Sequence, residues 1–432
     1  LQGTRFTNAV ANTPSCAPSR ASLMTGLHTL SHRLVNNELQ VRLDVPTFAG
    51  TLTSNGYDCG YIGKWHLDGG PRDGFTPPGP RRLGFDKYWA VANCSHAYMN
   101  SFYYENEDPV PRFIDGYEPI HQTDLALRFI EDQKKSDQPF FLTVSYGTPH
   151  DPYLEMPAEL LEKVSPEGIS LMETNSRYVP LEIREAKRKM LAGYYAHIEA
   201  LDEQVGRLMN KLEAEGLVEN TIVVFTSDHG DMLGNHDAYF KSQPWRESVG
   251  IPLIMRWPEH IPAGRVTNGP ISIVDMMPTL LALTDTRVPK GVQGIDLSEF
   301  VQGDETKAAG SVFINFLAHV HIIPQPPFRG VVTGTHTYAE SEEGPWLMYD
   351  DEKDFFQKNN LITWAKRSEP GIAALQKQLS EKVRQWMARI GDPGIWGDEV
   401  NERYQPGHVG GVLPHQTDPQ FKFHQQAWLG RR

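Results

Sequence analysis

The sequence predicts an α/β fold, with a central, mostly parallel sheet flanked by helices and a smaller antiparallel sheet after it. Two apolar runs point to the first sheet: Pro139-Phe140-Phe141-Leu142-Thr143-Val144-Ser145 and Thr221-Ile222-Val223-Val224-Phe225-Thr226. Neither alternates polar with apolar residues, which is the pattern of strands covered on both faces. From Ala186 to Glu215, the residues Met190, Tyr194, Ile198, Leu201, Val205, Leu208 and Leu212 recur at steps of three and four. They form one apolar stripe on a helix suited to cover such a sheet. Near Gly310 the pattern changes to short strand-like segments, Ser311 to Phe316, Gly330 to Thr333 and Thr337 to Glu340, separated by turns. We therefore divide the chain into a main domain over 1–309 and an α+β subdomain with an extended tail over 310–432.

Taken in order, Arg5 to Ala9 reads as a strand from within a fold, and because the chain opens on Leu1 a segment upstream is expected. Next comes Ser15-Cys16-Ala17-Pro18-Ser19-Arg20-Ala21-Ser22-Leu23-Met24-Thr25-Gly26, a short helix with its own signals. Pro18 suits its first turn and Gly26 the residue after its last. Cys16 falls at the positive end of the helix dipole, where a thiol is activated, and Arg20 projects from the same face. Thr47 to Ser54 is a second helix, ended by Asn55-Gly56. In the strand from Tyr57 to Leu67, Lys64 and His66 are two apart and share a face. Residues 69–120 read as long loops, and their His96, Tyr98, Tyr103 and Tyr104 are not assigned to a site. A helix from Thr123 to Gln133 leads to the first apolar run, and His150 stands just past that run's carboxyl end, where open α/β sheets place ligands. Asp228, after the second run, is a hard oxygen donor suited to Ca²⁺ or Mg²⁺. Lys241, the strand Ile251 to Arg256, the helix from Asp275 and a last helix from Ile372 to Ile390 complete the pattern.

Composition narrows the function. A formal net charge of −13 argues against a nucleic-acid surface. Any anionic ligand must meet positive charge gathered locally, and Arg20, Lys64, His66, His150 and Lys241 supply it. No run of 18 apolar residues exists to span a membrane. Of the three cysteines, Cys59 and Cys94 are compatible with one disulfide or with two core thiols.

Cys16-Ala17-Pro18-Ser19-Arg20 with Leu23, Thr25 and Gly26 resembles the signature of the type I sulfatases, which have the alkaline-phosphatase-like fold. The phosphatase type of Cys-to-Arg loop needs five intervening residues, and here there are three. Gly63-Lys64-Trp65-His66-Leu67, Pro149-His150-Asp151-Pro152, Asp228-His229-Gly230 and Lys241 resemble further motifs of that family.

The resemblance implies that Cys16 is oxidised to formylglycine by a formylglycine-generating enzyme. It implies a Ca²⁺ or Mg²⁺ ion on Asp228, His229 and residue 16. Lys64 and Lys241 would hold the sulfate, His150 would protonate the departing alcohol, and His66 would act as the base that regenerates the aldehyde. The substrate class is an anionic sulfate ester, on a carbohydrate in view of the long loops, and the family resemblance implies a periplasmic or secreted protein. One departure stands out. The family's pair of neighbouring Asp residues, on a first strand upstream of the cysteine, is absent from this sequence, so weak calcium binding and a missing central strand are expected. Two other readings follow: a hydrolase of phosphonate monoesters or phosphodiesters, and an inactive glycan-binding relative.

Overall fold

β-Branched and aromatic runs bounded by glycine and proline give strands, and two sheets form the body of the protein. The computed structural model describes residues 2–171, 181–318, 325–363, 366 and 369–405. One sheet has the order β10-β1-β8-β7, with β9 also paired to β1; these are β1 (Thr4–Val10), β7 (Val223–Thr226), β8 (Gly250–Arg256), β9 (Val266–Thr267) and β10 (Ile271–Ser272). The other has the order β5-β4-β3-β2-β6, from β2 (Asp58–Lys64), β3 (Tyr88–Ala92), β4 (Phe102–Glu105), β5 (Arg112–Phe113) and β6 (Phe140–Ser145). Pairing is mixed. β2 lies parallel to β3 and β6, and β1 parallel to β9 and β10, whereas β8 runs antiparallel to both β1 and β7.

Two expectations change here. β6 and β7 carry the apolar runs of central strands, yet among the described residues each ends its sheet, pairing only with β2 and only with β8 respectively. β6 is half-buried along its length and Phe225 of β7 is 38% exposed. An apolar run reports which faces are covered; it does not report whether both edges are paired. Residues 69–120, expected as loops, contain β3, β4 and β5. Trp89 of β3 packs edge-on to Trp65 at 5.0 Å within a buried aromatic group that includes Tyr61 and Phe85.

The helices cover these sheets. We number them α1 (Cys16–Thr25), α2 (Phe48–Thr53), α3 (Glu118–Gln133), α4 (Leu181–Ala214), α5 (Ile273–Leu283), α6 (Pro370–Ile390) and α7 (Gly397–Tyr404). All of α1 but Leu23 is buried, packed against α5. A capping box starts α5, where Ser272 N and Oγ donate to Asp275 at 3.0 and 2.6 Å. α3 begins five residues before the expected Thr123, with Pro119 in its first turn. α4 packs on α3, and its stripe is narrower than the sequence pattern, since Ile198 is 42% exposed.

The antiparallel sheet is a meander of β11 (Val312–Phe316), β12 (Phe328–Val332), β13 (His336–Ser341) and β14 (Gly344–Asp350). Leu379, Val383 and Trp386 of α6 pack on its Phe313, Val331, Tyr338 and Met348. The expected extended tail is instead helical over α7, with Val400 fully buried; the rest of that tail, 406–432, lies outside the described residues. Asn12 joins this sheet to the chain entering α1. Its Nδ2 donates to Phe313 O at 2.7 Å, its carbonyl accepts from Asn315 N at 2.7 Å, and its Oδ1 accepts from Val274 N at 3.0 Å. The three cysteines are unpaired thiols, which settles the question of Cys59 and Cys94. Among the described residues no helix is long and apolar enough to cross a membrane.

Candidate active site

Cys16 is the first residue of α1 and 2% exposed. Asn37 Oδ1 accepts from the next backbone N–H, that of Ala17, at 3.0 Å, fixing the helix end beside the thiol. Around Cys16 Sγ stand Lys241 Nζ at 3.2 Å, His229 Nε2 at 3.2 Å and Lys64 Nζ at 3.6 Å. Burial alone would raise the thiol's pKa, but Lys241, Lys64, His229 and His150 outweigh it and hold it well below the usual value.

Lys64 and His229 are placed by strand ends. Lys64 closes β2, preceded by Gly63 at φ 101, where a Cβ would stand 2.1 Å from Ser145 O. Only glycine permits that approach of β2 to β6. The strand stops at Lys64 and His66 adopts φ 59, so the two do not share an extended face as expected, although His66 still interacts electrostatically with the Cys16 and Cys94 thiols. Arg20 interacts electrostatically with Cys16, as its spacing leads one to expect. Its guanidinium is occupied by protein, with Nε on Asp228 at 2.8 Å and Nη1 on Ser145 Oγ at 2.6 Å, Lys64 O at 2.8 Å and Tyr61 OH at 3.3 Å. It thereby ties the carboxyl ends of β6 and β7 together. Burial raises the Asp228 pKa, but Arg20 outweighs it and brings the carboxyl to about 2.

His229 Nδ1 donates to Gly230 O at 2.7 Å, which leaves the Nε2 lone pair facing Cys16. His150 Nε2 lies 2.6 Å from Lys241 Nζ, and its Nδ1 lies 2.9 Å from Asp151 Oδ1. Burial and Lys241 both lower the His150 pKa; Asp151 and Cys16 prevail and carry it to about 9. Tyr153 donates to Asp231 at 2.8 Å, tying the His150 loop to the segment that bears Asp228 and His229. The structure thus gathers Cys16, Lys64, His66, His150, Asp228, His229 and Lys241 into one site, with Arg20 beneath it.

A family model for sulfatases matches residues 1–286. This chain belongs to the sulfatase family. A model of the N-sulphoglucosamine sulphohydrolase C-terminal region also matches residues 234–388. An ulvan-active sulfatase of Formosa agariphila is 37% identical to this sulfatase over 395 residues, 90% of this chain and 75% of the relative. An N-acetylglucosamine-6-O-sulfatase of Bacteroides thetaiotaomicron is 26% identical, over 90% of this chain and 81% of the relative. A Bacteroides fragilis structure assigned as a sulfatase has a TM-score of 0.81 at 27% identity, covering 91% of this chain and 89% of that one. A phosphonate monoester hydrolase from Silicibacter pomeroyi has a TM-score of 0.71 at 21% identity, over 91% and 89%, a likeness of fold alone. The protein is a sulfuric ester hydrolase.

Sequence reasoning did not assign three residues that the sulfatase brings to this site. His96 stacks on His150 with ring centroids 4.3 Å apart, and its Nε2 lies 3.2 Å from Lys64 Nζ. Burial and the cations around it keep His96 neutral, able to accept from that ammonium. Glu38 Oε1 lies 3.3 Å from His66 Nε2. Cys94 is the third; burial raises its pKa, but His66 and Lys64 outweigh it and bring the thiol to about 6. Burial likewise lowers the His66 pKa, while Cys94, Cys16 and Glu38 raise it for as long as residue 16 is a thiol.

Cys16, Asp228 and His229 each offer the sulfatase one metal-ligating atom, all within 4.8 Å of one another. Only Asp228 brings a hard oxygen, whereas calcium and magnesium are held by about six or more oxygens. Oxidation of residue 16 would replace its sulfur with oxygen. The three residues fit a divalent cation as one wall of a site rather than as a complete shell.

Proposed function

We propose that this sulfatase removes sulfate from a carbohydrate sulfate monoester, using residue 16 as the nucleophile after its oxidation to formylglycine. One observation carries the reading: two ammonium groups and one imidazole meet within 3.6 Å of a buried Cys16 thiol at a helix N-terminus. That concentration of positive charge, in a chain of net charge −13, suits a tetrahedral anion. Hydrated, the aldehyde of residue 16 would supply the hydroxyl that attacks sulfur. A Ca²⁺ or Mg²⁺ ion on Asp228, His229 and residue 16 would neutralise one sulfate oxygen. Lys64 and Lys241 hold the charge of the transferring group, and positioning and charge stabilisation do most of the work. His150 gives its proton to the alcohol oxygen as the sulfur–oxygen bond to the sugar breaks. His66 then takes a proton from residue 16 so that sulfate departs. The names of the Formosa and Bacteroides thetaiotaomicron relatives favour a sugar as the alcohol.

Two measurements test this. Mass spectrometry of the Cys16 peptide, from a host able to make formylglycine, is expected to show the aldehyde or its hydrate. Turnover of an aryl sulfate is expected to exceed that of an aryl phosphonate. Preference for the phosphonate would establish the reading that the Silicibacter fold likeness allows. An unmodified thiol with no turnover would count heavily against hydrolysis and favour the inactive glycan-binding relative.

A further inference from the structure

The loop after α1 contains a residue that the proposed chemistry has not used. Glu38 is held at φ 65 and its partner His66 at φ 59, both in the left-handed region that residues other than glycine rarely enter. Such strain gathers where a site requires a particular geometry. The Glu38 and His66 side chains are 6% and 2% exposed. Arg72 grips Glu38 Oε1 through Nε at 2.8 Å and Nη2 at 2.6 Å, and the same oxygen lies 3.3 Å from His66 Nε2. The His66 backbone N–H donates to Asn93 O at 2.6 Å, so the residue is held at both ends. His66 Nδ1 is buried and has no hydrogen-bond partner among the described residues. The thiols of Cys94 and Cys16 act electrostatically on the ring. The neighbouring Asn37 caps the helix end that carries Cys16. One short loop therefore orients both residue 16 and His66.

We propose that Glu38, clamped by Arg72, is the positioning residue of a carboxylate–histidine pair: it fixes His66 through Nε2 and leaves Nδ1 to take the proton that releases sulfate from residue 16. This rests on the formylglycine reading above. In that step the remaining hydroxyl proton on residue 16 moves to Nδ1 of the neutral His66 imidazole. The O–H electron pair becomes the second carbon–oxygen bond of the aldehyde, and the carbon–oxygen bond to sulfate breaks with its pair leaving on the sulfate. Glu38 then faces the imidazolium just formed, as a buried carboxylate does beside the histidine of a hydrolase triad. Breaking the sulfur–oxygen bond to the leaving alcohol needs His150 and Lys241 but not Glu38, so the two halves of the reaction separate.

The test uses the full-length, formylglycine-bearing protein with an aryl sulfate. Steady turnover by the wild type establishes the underlying reading first; its absence overturns both. Expected for Glu38→Gln is a burst of aryl alcohol equal to the enzyme present, followed by turnover about 10–100-fold slower, the range seen when a partner that orients a site residue is removed. Mass spectrometry of quenched E38Q is expected to show residue 16 carrying sulfate. The double variant E38Q/H66Q is expected to be no slower than H66Q alone, because the two side chains act as a unit. Glu38→Asp, which keeps the charge for Arg72 but draws it back from His66, is expected to show a weaker burst, and it decides the matter should E38Q fail to fold. Turnover of E38Q or E38D within twofold of wild type, slow turnover without a burst, or losses that add in the double variant would each overturn the proposal.

Discussion

Lys241 Nζ and His150 Nε2 stand 2.6 Å apart, and the same ammonium donates to Cys16 Sγ at 3.2 Å. One cation thus touches both the nucleophile position and the proposed acid. His150 must be protonated to act as an acid, and its pKa of about 9 keeps it so at neutral pH. The sign follows: the limb of kcat set by His150 should fall as pH rises through about 9. Lys241 lowers that pKa, so Lys241→Ala should move the falling limb to higher pH while reducing kcat about 10²–10³-fold, as expected for loss of a charge-stabilising donor. A pH–rate profile of both proteins on an aryl sulfate checks this, and an unmoved limb would show that Lys241 and His150 are not coupled.

Acid stability should depend on two histidines remote from the chemistry. His28 lies edge-on to Phe313 and Trp386, with ring centroids 5.9 and 5.8 Å away, and neither of its ring nitrogens has a hydrogen-bond partner among the described residues. Burial, aided by Arg389, lowers its pKa to about 3, and burial and His28 do the same to His32. Folded, both bind fewer protons than the unfolded chain. Their contribution is therefore complete above about pH 6.5 and is lost as pH falls toward 3, by up to about 1.4 kcal/mol per pH unit for each. Between pH 6.5 and 4.5, His28→Leu should lose about 2–3 kcal/mol less than the wild type, read by urea unfolding at the two pH values.

The contrast between what the sequence displays and what it hides follows from distance along the chain. Lys64, His150 and Asp228 were legible because each stands at or just past the end of a strand whose apolar run is visible. His96 and Glu38 lie in segments without periodicity, and their partners Lys64 and His66 are 32 and 28 residues away, a closeness that no local pattern encodes. Arg20 was legible as a cation but not in its partners, because Asp228 and Ser145, which occupy it, arrive from β7 and β6. The open edges of β6 and β7 were hidden for a different reason: the runs show apolar faces and say nothing of hydrogen-bond partners. In α7 only Val400 is buried, too little to make a stripe.

Arg329 and Asp392 form a fully buried pair, 0% and 1% exposed, with Nη2 to Oδ1 at 2.7 Å and Nε to Oδ2 at 2.8 Å. Trp396 lies 4.1 Å from the guanidinium, so β12, the end of α6 and the start of α7 meet at this one cation. Removing one partner strands the other charge away from water. Asp392→Ala should cost about 3–5 kcal/mol, whereas replacing both by apolar residues of similar volume should cost far less. Unfolding midpoints of the single and double variants check the ordering, and a single variant as stable as the double one would contradict it.

On the proposed reading, burial of Cys16 also constrains when its oxidation could occur. The thiol is 2% exposed, its helix is buried at every position but Leu23, and Lys241, His229 and Lys64 surround the sulfur. A modifying enzyme would have to displace α1 from α5 and from the Asn37 cap before the thiol entered another active site. That exposes an apolar helix face, at about 25 cal/mol per Å² of apolar surface, with no compensating contact in the folded protein. Oxidation is therefore expected before folding is complete. Protein folded with Cys16 intact, then incubated with formylglycine-generating enzyme and oxygen, should keep its thiol. The same chain co-expressed with that enzyme, or presented to it unfolded in urea and refolded, should carry the aldehyde. The mass of the Cys16 peptide distinguishes the two, and conversion of the folded protein at the rate of an isolated peptide would mean that α1 opens far more readily than its packing implies.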